Sequence, residues 1–259
     1  MNKKALLVMA FLMAATTTNA DDVWVLQGFA FGQLTPALFY LWSGDVLLLN
    51  PNPTPATIRI IDISNGTLRA TNREFVISPG RSTSVNREAG WSPTANEPLW
   101  VDHLDVPAGV VVESRISVGQ ALSTGGPSMG GVFGKLSFPA FRALQPAGVT
   151  KIHLGTDLEG IPSRNNVAVY NSADVAAHAH IEVHQVCDDS RIDIRDLDVP
   201  GKTVVQVTGL STHTTGCLNI GTNYTYVAVT VDQPSLSWVS SLSNADPIKI
   251  VWGITSSSP

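Results

Sequence analysis

The residue types best suited to chemistry alternate with apolar residues along one segment: His178, His180, Glu182 and His184. Successive side chains of a β-strand point to opposite faces, so these four would share one face of a strand. Imidazoles and carboxylates bind zinc and copper, and the spacing therefore predicts a metal site at His178, His180 and His184. The interpretation we favour is a solvated strand face that binds no cofactor, and a pH-sensitive surface is a third interpretation.

A nucleophile motif occurs upstream, where Gly126-Pro127-Ser128-Met129-Gly130 matches the Gly-x-Ser-x-Gly pattern. That pattern is catalytic when a strand, a strained turn and a helix expose the serine above a parallel sheet. Here the residues that follow are strand-like and end in Pro139, and no alternation of strands and helices surrounds them. We therefore predict that the match is accidental, that no residue is catalytic and that the protein is not an enzyme.

Acidic side chains cluster just after the histidine-rich segment, around Arg191 and Arg195: Asp188, Asp189, Asp193, Asp196 and Asp198. Carboxylate clusters bind calcium in extracellular modules, but this spacing fits neither an EF-hand loop nor a nonapeptide repeat. We favour an exposed strand and turn held by salt bridges to the two arginines.

The first twenty residues have the layout of a secretory signal peptide. Lys3 and Lys4 precede an apolar run that ends in Thr18-Asn19-Ala20, so residues 1–20 are predicted to be removed. No later apolar stretch is long enough to predict a transmembrane segment. We expect a secreted or cell-surface protein, with the periplasm as the alternative compartment. In such an oxidising environment, the only two cysteines, Cys187 and Cys217, are predicted to form a disulfide.

The net charge of the chain indicates which kinds of partner are unfavourable. The formal net charge is −5 and no block of basic residues occurs, which argues against nucleic acid as a partner.

Short apolar runs that alternate with turn signals indicate an all-β protein. The predicted strands of the first half are 45–50, 56–63, 69–77, 82–86 and 110–118. Those of the second half are 166–170, 177–186, 191–199, 203–207, 224–231, 236–242 and 248–252. About seven strands in roughly a hundred residues are typical of an immunoglobulin-like β-sandwich.

The chain also repeats itself. Asn50 and Asn171 end similar apolar runs 121 positions apart, and the turns at Pro79 and Pro200 have the same separation. Two landmarks with one offset favour a duplication. We predict two tandem immunoglobulin-like β-sandwich domains, residues 21–123 and 124–259, joined by a long glycine-rich loop over residues 117–134.

A second pair of similar segments has a different offset. Phe31-Gly32 and Phe133-Gly134 are 102 positions apart, which predicts an insertion in the second copy between residues 142 and 165. Loops on a rigid sandwich often carry specificity, so this insertion and the loop over residues 92–100 are the predicted contact surface.

These landmarks carry a resemblance. The order Phe-Gly-x-Leu-x-Pro-Ala, a strand ending in Asn-Pro or Asn-Ser, Val-x-Pro-Gly and a final Ser243-Asn244-Ala245-Asp246-Pro247 resembles tandem immunoglobulin-like repeats of secreted bacterial proteins. That family has no settled function, so the resemblance implies the fold and leaves the chemistry open.

The predicted function is a non-enzymatic binding or adhesion module at or outside the cell surface, with a protein or glycan partner. One alternative is a structural subunit that self-associates by β-strand addition of its apolar N-terminal stretch, residues 23–42. The other is an extracellular protein that binds zinc or copper through the histidine-rich strand.

Overall fold

The computed structural model describes residues 20–27, 30–35, 38–63, 73–86, 100–122, 129–153, 163–210, 225–246 and 249–256. Within those ranges the chain forms seventeen β-strands and no helix. All pairings between the strands are antiparallel, and the predicted all-β class is therefore confirmed.

The strands of the first half form two sheets. Sheet A has the order β1-β7-β4-β5, with β1 at Ala20–Gln27, β7 at Trp100–Pro107, β4 at Ala56–Ile63 and β5 at Arg73–Ile77. Sheet B has the order β2-β3-β8-β9, with β2 at Ala30–Thr35, β3 at Leu38–Asn50, β8 at Val111–Leu122 and β9 at Met129–Pro139. A further strand, β6 at Arg81–Asn86, pairs with the second part of β3.

The strands of the second half repeat this arrangement. Sheet C has the order β14-β11-β16-β17, with β14 at Val204–Thr208, β11 at Ser163–Asn171, β16 at Ser235–Asp246 and β17 at Lys249–Ser256. Sheet D has the order β10-β15-β12-β13, with β10 at Gly148–His153, β15 at Thr225–Val231, β12 at Ala177–Gln185 and β13 at Arg191–Val199. Sheet D thus corresponds to sheet A strand by strand, and sheet C to the β6-β3-β8-β9 part of sheet B.

The two asparagines that mark the duplication make the same hydrogen bonds. The buried Asn50 side chain donates to the carbonyl oxygens of Thr54 and Ile77, both at 2.9 Å. The buried Asn171 side chain donates to Val175 O at 2.7 Å and Val199 O at 3.0 Å. Each amide ties the end of a strand to the turn that follows it and to the end of a strand in the facing sheet.

Among the residues that the structure describes, three clusters of buried side chains lie between the sheets. One draws on sheets A and B, and it includes Val25, Leu48 and Ile58. A second draws on sheets C and D, and it includes Val169, Ile181 and Val239. These clusters are compatible with β-sandwich packing, in which apolar faces of two sheets meet. The number of domains and the immunoglobulin-like fold stay predictions.

The third cluster joins the two halves. It contains Trp24, Leu26 and Val101 from sheet A, Ile116 from sheet B, and from sheet C Ala168, Tyr170, Val204, Leu236 and Trp238. The rings of Trp24 and Tyr170 are 5.5 Å apart between centroids. The outer face of sheet A, the face turned away from sheet B, therefore packs on the outer face of sheet C.

The segment between β9 and β10 runs along this contact. Phe141 exchanges two backbone hydrogen bonds of 2.8 Å with Trp24, on the edge of β1 opposite β7. Gln145 bonds the backbone of Ser235 in the same way, at 2.9 and 3.0 Å. Both halves are thus connected by hydrogen bonds as well as by the shared cluster.

Several predicted elements differ from the structure. The loop predicted over residues 117–134 is wrong, because β8 continues to Leu122 and β9 begins at Met129. Strands β7 and β10 were not predicted. The polar residues of β7 and β10 hide an alternating pattern, while pairing to a neighbouring strand holds both in the sheet.

The two Phe-Gly segments that are 102 positions apart belong to strands that are not equivalent. Phe31-Gly32 belongs to β2, at one edge of sheet B, and Phe133-Gly134 belongs to β9, at the other edge. The strand that corresponds to β9 is β17, since β9 pairs with β8 as β17 pairs with β16. The insertion inferred from that offset therefore has no basis in the strand pairing.

Residues 1–19, which contain most of the predicted signal peptide, lie outside the described residues. None of the described segments forms a helix with the length and apolar character needed to cross a membrane.

Candidate functional site

The histidine-rich segment is strand β12, and its side chains alternate as predicted. Residues at Ala177, Ala179, Ile181 and Val183 are buried, whereas the intervening side chains lie on the outer face of sheet D. β12 is flanked by β13 on one side and β15 on the other. The outward side chains can therefore contact neighbours from two strands.

Two histidines of β12 pair with aspartates directly across from them on β13. His180 Nδ1 lies 2.6 Å from Asp196 Oδ1, and His178 Nδ1 lies 3.1 Å from Asp198 Oδ1. His178 Nε2 also lies 3.6 Å from Asp196 Oδ1, so Asp196 is shared between the two rings. We refer to this row as the histidine–carboxylate ladder, which consists of His178, His180, Glu182, His184, Asp196 and Asp198.

Glu182 forms the centre of the ladder. Its Oε1 accepts a hydrogen bond of 2.8 Å from Arg191 Nη1, and it lies 3.4 Å from His180 Nε2. Its Oε2 lies 3.3 Å from His184 Nε2. The hydrogen bond from Arg191, followed by those from His184 and His180, lowers the pKa of Glu182 to about 2. Glu182 therefore carries its negative charge at any physiological pH.

The end of the ladder packs on an aromatic ring of β15. His184 stacks on Tyr226, with ring centroids 5.0 Å apart and planes 8° from parallel. The Tyr226 hydroxyl donates a hydrogen bond to Asp189, which raises the pKa of Tyr226 to about 12. On the other side, Lys151 Nζ of β10 lies 4.9 Å from the centre of the Tyr226 ring.

The carboxylates stabilise the charged form of the histidines. The hydrogen bond to Asp198 raises the pKa of His178, and the hydrogen bond to Asp196 raises the pKa of His180. The same contact with His180 lowers the pKa of Asp196. The ladder thus gains positive charge as the pH falls through a range that begins above the ordinary histidine value.

The predicted metal ligands do not converge on one point in the structure. The imidazole nitrogens of His178, His180 and His184 each point to carboxylate or carbonyl oxygens, and His184 Nδ1 lies 3.1 Å from Asp189 O. Among the described residues, no group of three or more histidine, cysteine or acidic side chains is arranged to hold a metal ion. Zinc or copper binding here stays a prediction.

Two of the five aspartates of the acidic run, Asp196 and Asp198, belong to the ladder. Arg195 pairs with Asp193, as expected for a salt-bridged strand, but Arg191 reaches across to Glu182. Asp196 and Asp198 pair with histidines, which the linear sequence did not reveal. The sequence missed Tyr226 and Lys151 altogether, because strands β15 and β10 are distant in the chain.

The first half has a simpler pair at the equivalent place. Arg59 of β4 lies opposite Glu74 of β5, with Arg59 Nε 2.9 Å from Glu74 Oε2. An offset of 121 places Arg59 at the position of His180, and Glu74 corresponds to Asp196 by strand pairing. The second half therefore has a titratable cation where the first half has a permanent one.

The remaining predicted site residues are mostly outside the described part of the chain. Ser128 of the nucleophile motif is one of them, and Met129 begins β9. Cys187 lies in the exposed turn after β12, and Cys217 is outside the described residues, so their pairing stays a prediction.

Comparisons with known proteins give no further indication of function. No model of a protein family matches the chain. No match to a curated protein was found either.

Proposed function

We propose that the chain is an exported, non-enzymatic binding protein with two tandem immunoglobulin-like β-sandwich domains. It recognises a partner at or outside the cell surface, and the histidine–carboxylate ladder of sheet D is its contact surface. The observation that carries this proposal is the ladder itself, an exposed network of charged side chains. At the equivalent place in the first half, the described residues form the simpler Arg59–Glu74 pair.

The construction of the ladder suits recognition. Its side chains stand on the adjacent strands β12 and β13, and cross-strand contacts as short as 2.6 Å orient them. Polar groups that are held in place by a rigid scaffold lose little conformational entropy when a partner binds. Asp196 and Asp198 are exposed, and their remaining oxygen lone pairs can accept hydrogen bonds from a partner.

The charge of the ladder indicates the chemistry of the partner. At neutral pH and above, the three carboxylates of Glu182, Asp196 and Asp198 outweigh the charge of Arg191, which contacts Glu182. A protein partner with lysine or arginine side chains at its contact surface matches this charge. Protonation of His178 and His180 at lower pH reduces the attraction.

The other contact surface predicted from the sequence has less support. Phe141 and Gln145 hydrogen-bond to β1 and β16, so the start of the segment over residues 142–165 connects the two halves. Residues 148–153 form β10, an edge strand of sheet D, and are therefore part of the sheet rather than of a loop. The loop over residues 92–99 lies outside the described residues.

The two alternative functions also have less support. For strand addition, β1 pairs with β7 along one edge, and Trp24 bonds Phe141 on the opposite edge. For metal binding, the imidazoles already contact carboxylates.

The experiment compares two double variants at equivalent positions. The variant His180→Ala with Asp196→Ala removes the centre of the ladder, and Arg59→Ala with Glu74→Ala is its matched control in the first half. Labelled protein is applied to intact cells, to an array of basic peptides and to a glycan array. We expect the ladder variant to lose binding to cells and basic peptides, whereas the control binds like the wild type.

The same experiment separates the alternatives. Binding that rises with pH between 5 and 8, on the order of tenfold, supports a basic partner. Equal binding by the ladder variant and the wild type would overturn the assignment of the surface, and binding to the glycan array alone would replace the protein partner with a carbohydrate.

A further inference from the structure

The contact between the two halves provides a template for a second contact. Sheet A covers the outer face of sheet C through Trp24, Leu26 and Val101. Sheet B corresponds to sheet C, and sheet D corresponds to sheet A. The outer faces of sheets D and B are therefore equivalent to the outer faces of sheets A and C, which are already in contact.

The strand registers identify the equivalent residues of sheets B and C. Leu49 pairs with Val111 and with Ser82, as Tyr170 pairs with Leu236 and Val204. Leu47 pairs with Glu113, as Ala168 pairs with Trp238. The buried sheet C residues thus have five counterparts, which we call the sheet B patch: Leu47, Leu49, Ser82, Val111 and Glu113.

The sheet B patch is exposed and concave. Leu49 is 41% exposed and Val111 is 51% exposed, although their counterparts Tyr170 and Leu236 are buried. All five residues line one shallow groove of about 620 Å³. Large apolar side chains at the floor of an exposed groove are a common feature of protein interaction sites.

Sheet D has the counterparts of the covering residues. Trp24 pairs with His103 in sheet A, and Lys151 pairs with Ala228 in sheet D. Arg59 pairs with Asp105 as His180, 121 positions later, pairs with Thr230. This register aligns His103 with Ala228, Val101 with Tyr226 and Trp24 with Lys151. Lys151 and Tyr226 are therefore the counterparts of two covering residues, Trp24 and Val101. We call these two residues, together with their neighbours Val149 and Ala228 on the same face, the sheet D patch, in which Val149 is 62% exposed.

Glu113 of the sheet B patch and Lys151 of the sheet D patch are opposite in charge, and Arg115 also lines the groove that contains Glu113. Trp24 and Trp238 belong to the one cluster that joins the halves, and their counterparts are Lys151 and Glu113. Two apolar members of the internal cluster are thus replaced by a lysine and a glutamate. Opposite charges of this kind favour association between two different faces and disfavour association of either face with itself.

From these equivalences we propose that a second copy of the chain binds head to tail, with its sheet D patch on the sheet B patch of the first. The interface is heterologous, so each added copy leaves one patch of each kind exposed, and copies add in an open row. The inference goes beyond the proposed function: the sheet D patch lies on β10 and β15, and it meets the ladder, on β12 and β13, where His184 stacks on Tyr226.

Sedimentation velocity tests the proposal with three single variants. Val111→Asp introduces a charge into the sheet B patch, and Val149→Asp does so in the sheet D patch. Val76→Asp is the matched control, because Val76 of β5 is also 62% exposed and lies in neither patch. For the wild type and the control we expect a mass that rises with concentration beyond that of a dimer.

Each patch variant alone should associate at least ~30-fold more weakly, because an unpaired charge would be buried at the interface. An equimolar mixture of both variants should form dimers and nothing larger, since only one intact pair of patches remains. Lys151→Glu and Glu113→Lys provide a gentler test: each charge reversal weakens association, and the double reversal restores it.

Three results would overturn the proposal. A wild type that stays monomeric at all concentrations excludes the interface. Association of Val149→Asp at wild-type strength would mean that the sheet B patch binds itself. Equal effects of Val76→Asp and Val111→Asp would mean that the patch has no special role.

Discussion

Single side chains explain why two distant segments of this chain resemble each other. Asn50 and Asn171 are buried, and each donates to two backbone carbonyls and accepts a backbone N–H. A buried polar group costs free energy unless it is hydrogen-bonded, so each asparagine is compatible with one local arrangement only. The repeated residue therefore marks a repeated arrangement of strand end and turn.

We expect Asn171→Ala to destabilise the protein by about 2 kcal/mol, because the carbonyls of Val175 and Val199 lose their donor. Urea denaturation measures the effect, and Val175→Ala is the control, since that side chain is exposed. Equal unfolding midpoints for the two variants would contradict the role assigned to the amide.

The histidines of the ladder allow a prediction of pH dependence. His180 should titrate above its ordinary value of 6.5, and Asp196→Asn should return its pKa towards that value. Because the folded-state pKa is raised, the stabilising contact is present at low pH and is lost as the pH rises through that pKa. NMR titration of the imidazole signals checks this, and Asp198→Asn, which should affect His178 more than His180, is the control. A His180 pKa that is unchanged by Asp196→Asn would refute the pairing.

Among the elements, β1 contributes to two packing layers at once. Val23 and Val25 face the cluster between sheets A and B, whereas Trp24 and Leu26 face sheet C. Its two edges bond β7 and Phe141. A strand with both faces buried is apolar along most of its length. A strand that pairs with another molecule would have the same apolar sequence, so the sequence alone did not distinguish the two arrangements.

We expect a labelled peptide with the sequence of residues 20–27 not to bind the folded protein, because β1 already occupies its place. Fluorescence anisotropy measures this, and a chain that lacks residues 20–27 is the positive control if it folds. Saturable binding of the peptide to the complete chain would favour strand addition instead.

At the scale of the whole molecule, the shared cluster should make the two halves unfold together. Trp24→Ala should cost about 3–5 kcal/mol, the range typical for a buried tryptophan. The loss should also speed amide hydrogen exchange in β11 and β16, which belong to the other half. Val23→Ala is the control, since Val23 lies in the cluster of sheets A and B only. If β11 and β16 exchange equally in both variants, the halves are not coupled through Trp24.

Strands in which buried and exposed residues alternate clearly could be predicted from the sequence. The bounds of β4 and β13 and the alternation of β12 were correct, because burial on one face of a strand has a period of two residues. The 121-residue offset also anticipated the matching hydrogen bonds of Asn50 and Asn171. By contrast, β7 and β10 have a weak pattern of their own and were missed.

By itself the sequence determined the all-β class and the face of β12 on which the histidines lie. Only the tertiary structure decided that Asp196, Asp198, Tyr226 and Lys151 surround those histidines, and that sheet A packs on sheet C. The physical reason is that a strand's periodicity is local. Its neighbours depend on pairing and packing between residues far apart in the chain, where several registers satisfy the same pattern.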